Sequence, residues 1–293
     1  MKTLPLRRRH IPIGLVVFAL AAAPAQAQTY TTIDVPGGAN TSAYSINDLG
    51  DVVGHYDDSD GNTHGFLLHH GQYTTIDVPG AIFTAPRGIN DLGTIAGRFV
   101  DGNGVPRGFV LRNGAYTTID FPGAVDTRVR SIDDLGRLTG NYRKADGVEH
   151  GFLRDAHGFH TLDFPGSLTT DAWQINDLGV IVGDFTGGDG LVHGYALRNG
   201  RFTQIDQPGP SQTSTRGLNL AGTIVGMDEA DDGSGFGLIV RARGSESFEV
   251  PGSAGFSEAY SINLLGVIAG DYADADGMFH GFVRIPSFDR DDR

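Results

Sequence analysis

Tyr73-Thr-Thr-Ile-Asp-Val-Pro-Gly80 decides the fold, because this stretch of sequence returns at a fixed spacing along the chain. The copies begin near residues 30, 73, 116, 159, 202 and 245, which sets a period of 43 residues. A second phrase, Ile46-Asn-Asp-Leu-Gly50 in the first copy, follows the first phrase in every copy. Six copies at one period indicate a repeat protein.

Each repeat is predicted to form four short antiparallel strands. In the first repeat they cover roughly residues 42–47, 52–56, 65–69 and 73–78, with glycine-containing turns between them. The third turn is Asn113-Gly114 in the second repeat, the dipeptide that two-residue hairpins prefer because both residues accept a positive φ. Four strands in about forty residues are typical of a propeller blade.

The sequence therefore predicts an all-β fold, a six-bladed β-propeller of six 43-residue, four-stranded repeats. If each blade begins at the Ile-Asn strand, the chain opens with an orphan fourth strand at about residues 30–35 and closes with a blade of three strands. We expect the N-terminal strand to complete the last blade, since this removes an exposed sheet edge.

A triplet at the predicted third strand carries a family resemblance. It reads His64-Gly-Phe66, His150-Gly-Phe152 and His280-Gly-Phe282 in three repeats, and it varies in the others as His193-Gly-Tyr195, Arg107-Gly-Phe109 and Gly235-Phe236. Together with the Ile-Asn-Asp phrase, it resembles the bacterial extracellular repeat family named HAF after its His-Ala-Phe triplet, with Gly in place of Ala. The resemblance covers nearly all of the chain beyond residue 27. It implies export and a repetitive β fold, and it brings no catalytic residues.

Residues 1–27 have the layout of a signal peptide. Positive residues from Lys2 to Arg9 precede an apolar run at 11–23, and Ala25-Gln-Ala27 supplies a cleavage site. We expect cleavage after Ala27, a single propeller domain over residues 28–293, and a secreted protein in the periplasm or outside the cell. An N-terminal membrane anchor is the alternative, which the Ala-x-Ala site disfavours.

Charge and cysteine content exclude several classes of function. The chain has 35 acidic residues against 22 Lys and Arg, a formal charge of −13, and no cysteine. It therefore lacks the basic footprint of a nucleic-acid-binding or membrane-surface protein, and it has no disulfide, thiolate ligand or cysteine nucleophile. We expect no cofactor, no membrane insertion after cleavage and a monomer.

One position in each repeat is a candidate for ligand binding. It lies three residues before the Asn of the second phrase and is aromatic or arginine throughout, which places a ring of large side chains near the start of the innermost strands. The six residues are Tyr44, Arg87, Arg130, Trp173, Arg216 and Tyr260. Arginine forks bind carboxylate, sulfate or phosphate, and aromatic faces stack on sugars. Packing between blades is the alternative, although a packing position would favour one residue type.

A second variable position follows the glycine of the second strand and receives no assignment from the sequence. Its residues are His55, Arg98, Asn141, Asp184, Met227 and Asp271.

The other repeated polar residues have structural interpretations. We expect the triplet histidines to stack or form hydrogen bonds between blades, and the Asn-Asp turns to bond local backbone N–H groups. Acidic Asp-Gly turns such as Asp57, Asp58 and Asp60 have oxygen ligands of the kind Ca²⁺ takes, but they lack a closing Glu, so solvated hairpin turns are favoured over calcium sites.

Three classes of function remain. The first is a secreted, non-catalytic binding or scaffold protein that contacts a carbohydrate, an anionic small molecule or an envelope protein. The second is a propeller enzyme of hydrolase, lactonase or lyase type, which the regular repeats and the absence of a His-Glu cluster disfavour. The third is a structural component of the envelope or a biofilm.

Overall fold

Twenty-four antiparallel strands build the protein in the computed structural model, which describes residues 28–208 and 212–287. In chain order the strands are β1 (Thr29–Ile33), β2 (Ala39–Ile46), β3 (Val52–Asp57), β4 (Thr63–His69), β5 (Gln72–Ile76), β6 (Phe83–Ile89), β7 (Ile95–Val100), β8 (Pro106–Arg112), β9 (Ala115–Ile119), β10 (Asp126–Ile132), β11 (Leu138–Arg143), β12 (Glu149–Asp155), β13 (Gly158–Leu162), β14 (Thr169–Ile175), β15 (Ile181–Thr186), β16 (Val192–Arg198), β17 (Arg201–Ile205), β18 (Gln212–Leu218), β19 (Ile224–Glu229), β20 (Gly235–Arg241), β21 (Gly244–Phe248), β22 (Ser257–Ile262), β23 (Ile268–Ala273) and β24 (Phe279–Ile285).

The strands form six four-stranded sheets arranged as blades around a ring. Blade 1 is β2 to β5, and blades 2 to 5 follow in the same order up to β21. Blade 6 runs β22-β23-β24-β1. The predicted six-bladed β-propeller is confirmed, and the four strands predicted for the first repeat match β2 to β5 within a few residues. In the described ranges, no helix is long and apolar enough to cross a membrane.

The N-terminal strand closes the ring as predicted. Tyr30 on β1 pairs with Arg284 on β24, and Ile33 pairs with Gly281. The outer edge of blade 6 is thereby given the same fourth strand as the other blades. The predicted signal peptide and the acidic end of the chain, residues 288–293, lie outside the described residues.

Tight hairpins join the third and fourth strands in blades 1 to 5. Asn113 has φ 51° and Gly114 has φ 76°, and Asn199 and Gly200 repeat these values at 51° and 75°. Two consecutive positive φ angles are those of the two-residue hairpin turn that Asn-Gly favours. The prediction of this turn from the sequence is therefore confirmed.

The last residue of the triplet is the centre of each blade's core, and it is aromatic in every blade except blade 5, which has the buried Leu238. Phe66, Phe109, Phe152, Tyr195 and Phe282 have no measurable exposure. Each packs with branched aliphatic side chains of its own blade and of the preceding blade in the ring, as Phe66 does with Ile33, Val35 and Val52. Burial of one such ring contributes about 2–3 kcal/mol.

The triplet histidines tie together parts of one blade. His280 bonds Asp274 of its hairpin turn and Asp34 beyond the outer strand, both at 3.1 Å, and stacks on Tyr272. In blade 2, Arg107 makes the same two contacts, with Asp101 and Asp120. Their role is structural, as predicted, but the prediction that they connect neighbouring blades is wrong.

The Asn-Asp turns connect neighbouring blades as well as their own backbone. Asn47 Oδ1 accepts from the N–H groups of Leu49 and Asp51, the expected local bonds. Its amide also donates to the carbonyl of Asn90 in the next blade, at 3.2 Å. Asn90, Asn176, Asn219 and Asn263 each make the corresponding bond. The expected local bonds are therefore confirmed, and the bonds between blades are an additional role that the sequence did not predict.

Candidate functional site

A β-bulge on the inner strand of every blade carries the six candidate residues. In blade 1 the register shifts between Ala43 and Ser45, so Tyr44 is the extra residue. The corresponding residues in blades 2 to 6 are Arg87, Arg130, Trp173, Arg216 and Tyr260. A bulge re-aims a side chain, and here all six side chains line one cavity at the centre of the ring. The predicted convergence is confirmed, but the bulge falls past the middle of the strand and not near its start.

A glycine on the second strand of each blade makes room for the bulge. A Cβ atom at Gly54 would lie 1.8 Å from the carbonyl oxygen of Ser42 and 2.8 Å from the ring of Phe66. At Gly226 the carbonyl oxygen of Ser214 would lie 1.9 Å away. The glycine of the repeat is therefore needed for close approach of the inner strand.

Half of the ring is packed around Trp173, the single tryptophan of the chain. The guanidinium groups of Arg130 and Arg216 lie 3.9 and 3.8 Å from its ring centroid. The indole N–H donates to Asp184 at 3.1 Å. Cation–π contacts and a filled hydrogen bond are what a packing element shows.

Carboxylates neutralise the cations on this side of the channel. Arg216 contacts Asp184 at 2.8 Å and Glu258 at 2.7 Å. Arg130 donates to Asn141 at 3.1 Å and lies 3.9 Å from Asp171. Asp184 and Asn141, which stand at the second variable position, are therefore an ion-pair partner and a hydrogen-bond partner of the arginines in the ring.

The space inside the ring is small. The cavity that the six side chains enclose has a volume of about 20 Å³, close to the minimum that holds one water molecule. A sugar does not fit there, so the ring as a whole serves as a packed plug, and contact of these residues with a ligand stays a prediction.

A larger pocket of about 500 Å³ opens between blades 1 and 6, next to the plug. Tyr44 and Tyr260 of the ring line it. At the outer part of the pocket, Phe256 and Phe279 meet edge to face, with ring centroids 5.7 Å apart. This volume is in the range of small-molecule sites.

Two buried polar groups in this pocket have no hydrogen-bond partner among the described residues. They are Nδ1 of His55, whose ring stacks on Tyr44 at 5.2 Å, and Oδ1 of Asp271. Burial, followed by the nearby Glu258 carboxylate, raises the pKa of Asp271 to about 7. Burial, followed by Arg87, lowers the pKa of His55 to about 3. Unpaired buried polar groups cost stability, and they are common where a ligand supplies the missing partner.

The sequence reasoning missed this pocket, although two signals for it are present. Repeat six has one extra residue before its second phrase, in the segment that leads to Phe256. Phe279 stands where blades 1 and 4 have Thr63 and Val192. An aromatic pair beside an insertion breaks the symmetry of the repeat at one place.

The Asn-Asp turns line the end of the channel that lies opposite this pocket. Asp91 accepts the backbone N–H of Asp48 at 2.8 Å, and Asp134 accepts that of Asp91 at 2.9 Å. Burial, with the neighbouring carboxylates, raises the pKa of Asp91 and of Asp134. These carboxylates therefore already accept hydrogen bonds that connect neighbouring blades.

The acidic Asp-Gly turns are built around backbone bonds. Asp58 accepts the N–H groups of Asp60 and Asn62, each at 2.9 Å. These bonds, with that from the Asn62 side chain first, hold the pKa of Asp58 well below its usual range. Across residues 28–208 and 212–287, no group of three His, Cys, Asp or Glu side chains is placed to hold a metal ion.

Comparison with known proteins gives the fold and no family. No protein-family model matches the chain, and no curated protein matches it. The SapL1 lectin in complex with alpha methyl fucoside is similar in structure at 12% identity and a TM-score of 0.57, over 87% of this chain and 97% of that one. The six-bladed Aleuria aurantia lectin, described with a novel fucose recognition mode, has 8% identity and a TM-score of 0.54, over 90% and 100%.

A protein of another kind is equally similar. TolB from Acinetobacter baumannii has 14% identity and a TM-score of 0.58, over 82% of this chain and 65% of that one. At such identities the likeness shows a shared propeller fold.

Proposed function

We propose that the protein is a secreted, non-catalytic carbohydrate-binding protein whose ligand enters the pocket between blades 1 and 6. The observation that carries the proposal is the pairing of aromatic rings with unsatisfied polar groups in that pocket. Phe256 and Phe279 offer rings to a sugar's apolar face, while His55 and Asp271 offer hydrogen bonds. Sugar sites combine these two features because a pyranose has one apolar face and a rim of hydroxyls.

The fold supports the same proposal. Six-bladed propellers of closely similar architecture include lectins described as binding fucose or its methyl glycoside. Secretion rests on the signal peptide predicted for residues 1–27, and membership of the HAF-type repeat family would agree with it.

The charge arrangement favours binding over catalysis. Asp271 is the one carboxyl of the pocket with a raised pKa, and a hydrolase of this kind would need a second, free carboxylate beside it. Asp57, the other carboxylate that lines the pocket, already accepts from Asn40 at 3.0 Å and from Thr63 at 2.7 Å. Glu258 is engaged as well, since Oε1 accepts from Arg216 and Oε2 accepts from the Tyr260 hydroxyl at 2.8 Å.

Saturation-transfer NMR on the purified protein tests the proposal. The probes are neutral monosaccharides, including L-fucose, D-galactose and D-glucose, measured with Phe279→Ala and with the matched Val192→Ala at the equivalent position of blade 4. We expect transfer to at least one sugar, loss of about tenfold in affinity in Phe279→Ala because a stacking face is removed, and no change in Val192→Ala. Absence of transfer to every sugar would refute the proposal and leave a structural role.

A further inference from the structure

Two arginines of blade 2 lack the carboxylate partners that the other channel arginines have. Arg87 on β6 and Arg98 on β7 are half-buried, and the Nε atom of each is buried without a hydrogen-bond partner. Within residues 28–208 and 212–287, no carboxylate oxygen lies within 4.0 Å of either guanidinium. By contrast, Arg128 pairs with Asp126 at 2.6 Å, and Arg216 has two carboxylates.

The sheet register gives the reason for this difference. Ala85 lies opposite Arg98 on the neighbouring strand. The corresponding position has Asp171 in blade 4 and Glu258 in blade 6. Blade 2 therefore has cations at both variable positions and no acid beside them.

Aromatic rings hold the two arginines in place. The Arg87 guanidinium lies 3.5 Å from the centroid of Tyr44, and that of Arg98 lies 4.8 Å from the centroid of Phe83. His55 links the two pairs, with its ring 5.2 Å from Tyr44 and 6.4 Å from Phe83. These contacts orient the cations without neutralising them.

The charges around this cluster are predominantly positive. Burial first, and then the charges of Arg87, Arg130 and Arg128, lower the pKa of Arg98 to about 9. The acids that act on the cluster are Asp57, which faces His55, and Asp271, which acts on Arg87 without a direct ion pair. In a chain with a net charge of −13, this is a local concentration of uncompensated positive charge.

We propose that Arg87 and Arg98 form a seat for an oxyanion group, the carboxylate or sulfate of an acidic saccharide. Guanidinium forks bind such groups bidentately, and an anion would supply the missing partners of two desolvated cations. Arg87 and Arg98 do not themselves line the pocket between blades 1 and 6, but Tyr44 and His55, which contact them, do, so the cluster lies directly beside it. The inference rests on the proposed function, because it names the class of sugar that the pocket takes.

Calorimetric titration at constant ionic strength tests this seat. The probes are D-glucuronate, D-glucose and inorganic sulfate, with the wild type, Arg98→Gln, and the control Arg112→Gln, which removes the same charge from an exposed side chain at the end of β8. We expect glucuronate to bind at least about tenfold more tightly than glucose, because charged hydrogen bonds are added. This preference is lost in Arg98→Gln and kept in Arg112→Gln.

Each outcome separates this inference from the proposed function. Equal affinity for glucuronate and glucose, or a preference that survives in Arg98→Gln, overturns the oxyanion seat while carbohydrate binding stands. Binding of inorganic sulfate that depends on Arg98, without binding of glucuronate, glucose or any other sugar, supports the seat and contradicts the wider proposal. Arg87→Gln provides an independent variant, with the same loss of preference expected, if Arg98→Gln does not fold.

Discussion

The side-chain amide of Asn263 donates to the backbone carbonyl of Asn47 at 3.1 Å, across 216 residues of sequence. This bond joins blade 6 to blade 1 at the inner end of the channel, while β1 joins them at the outer edge. The ring is therefore closed at two radii. Closure matters for function, since the candidate pocket lies between these two blades.

Asn263→Asp should weaken this closure. Aspartate cannot donate to the Asn47 carbonyl, and a buried carboxylate would face that oxygen, so we expect a loss of about 2–3 kcal/mol of unfolding free energy. Blade 3 suggests the matched rescue, because Asp133 stands at the equivalent position there and Arg137 bonds both Asp133 and the carbonyl of Asn176 in the next blade. Asn263→Asp with Val267→Arg should recover part of the loss in urea denaturation. No loss in the single variant would show that the bond contributes little.

Much of this architecture follows from spacing in the sequence. Tyr44 and Trp173 stand at the same offset from the Asn of their repeats, so a closed ring had to bring them together. The bulge that aims them was beyond prediction, because it depends on how closely Ser42 approaches Gly54. The inter-blade role of the asparagines was missed for a similar reason, since it depends on the distance between blades.

Gly54→Ala tests the account of the bulge. The added methyl group would overlap the Ser42 carbonyl, a backbone atom that cannot move without distorting β2, so we expect a destabilisation of about 3 kcal/mol or more. Gly188→Ala is the control, because a Cβ there meets nothing within 4 Å. Thermal unfolding distinguishes them, and similar melting temperatures for both variants would disprove the role of this glycine.

The raised pKa of Asp271 predicts a pH-dependent effect of Asp271→Asn. Its ordinary value is 3.8 and its folded value about 7, so the folded state holds a proton that the unfolded state releases between these pH values. The carboxyl therefore lowers stability progressively as pH rises towards 7. Asp271→Asn should raise the melting temperature relative to wild type at pH 8 and have little effect at pH 4. An equal effect at both pH values would contradict this picture.

The triplet histidines predict a second pH-dependent effect on stability, at higher pH than that of Asp271. The bond to Asp77 raises the pKa of His64, and bonds to acids outweigh burial to raise the pKa of His193 and His280. Their stabilising contribution is complete below the unfolded value of 6.5 and is lost as pH rises through the folded values.

Arginine at these three positions should remove that dependence, because Arg107 makes the same contacts in blade 2 and stays charged. We expect the variant with His64→Arg, His193→Arg and His280→Arg to lose less stability than wild type between pH 6 and pH 9 in chemical denaturation. Parallel pH profiles would show that these histidines are not responsible.

The pocket itself was out of reach of the sequence for a physical reason. Its walls come from Asn40 and His55 near one end of the chain and from Phe256 and Phe279 near the other. Closure of the ring brings these segments together, and the repeat pattern shows their positions without showing that the space between them is empty.

A crystal structure of the protein soaked with the monosaccharide that binds best in solution tests the central claim most directly. We predict ligand density between Phe279 and Tyr44, with a hydroxyl or acidic group of the sugar bonded to Asp271 or His55. Density at another surface, or an empty pocket at a saturating concentration of a sugar that binds in solution, would contradict the assignment of this site.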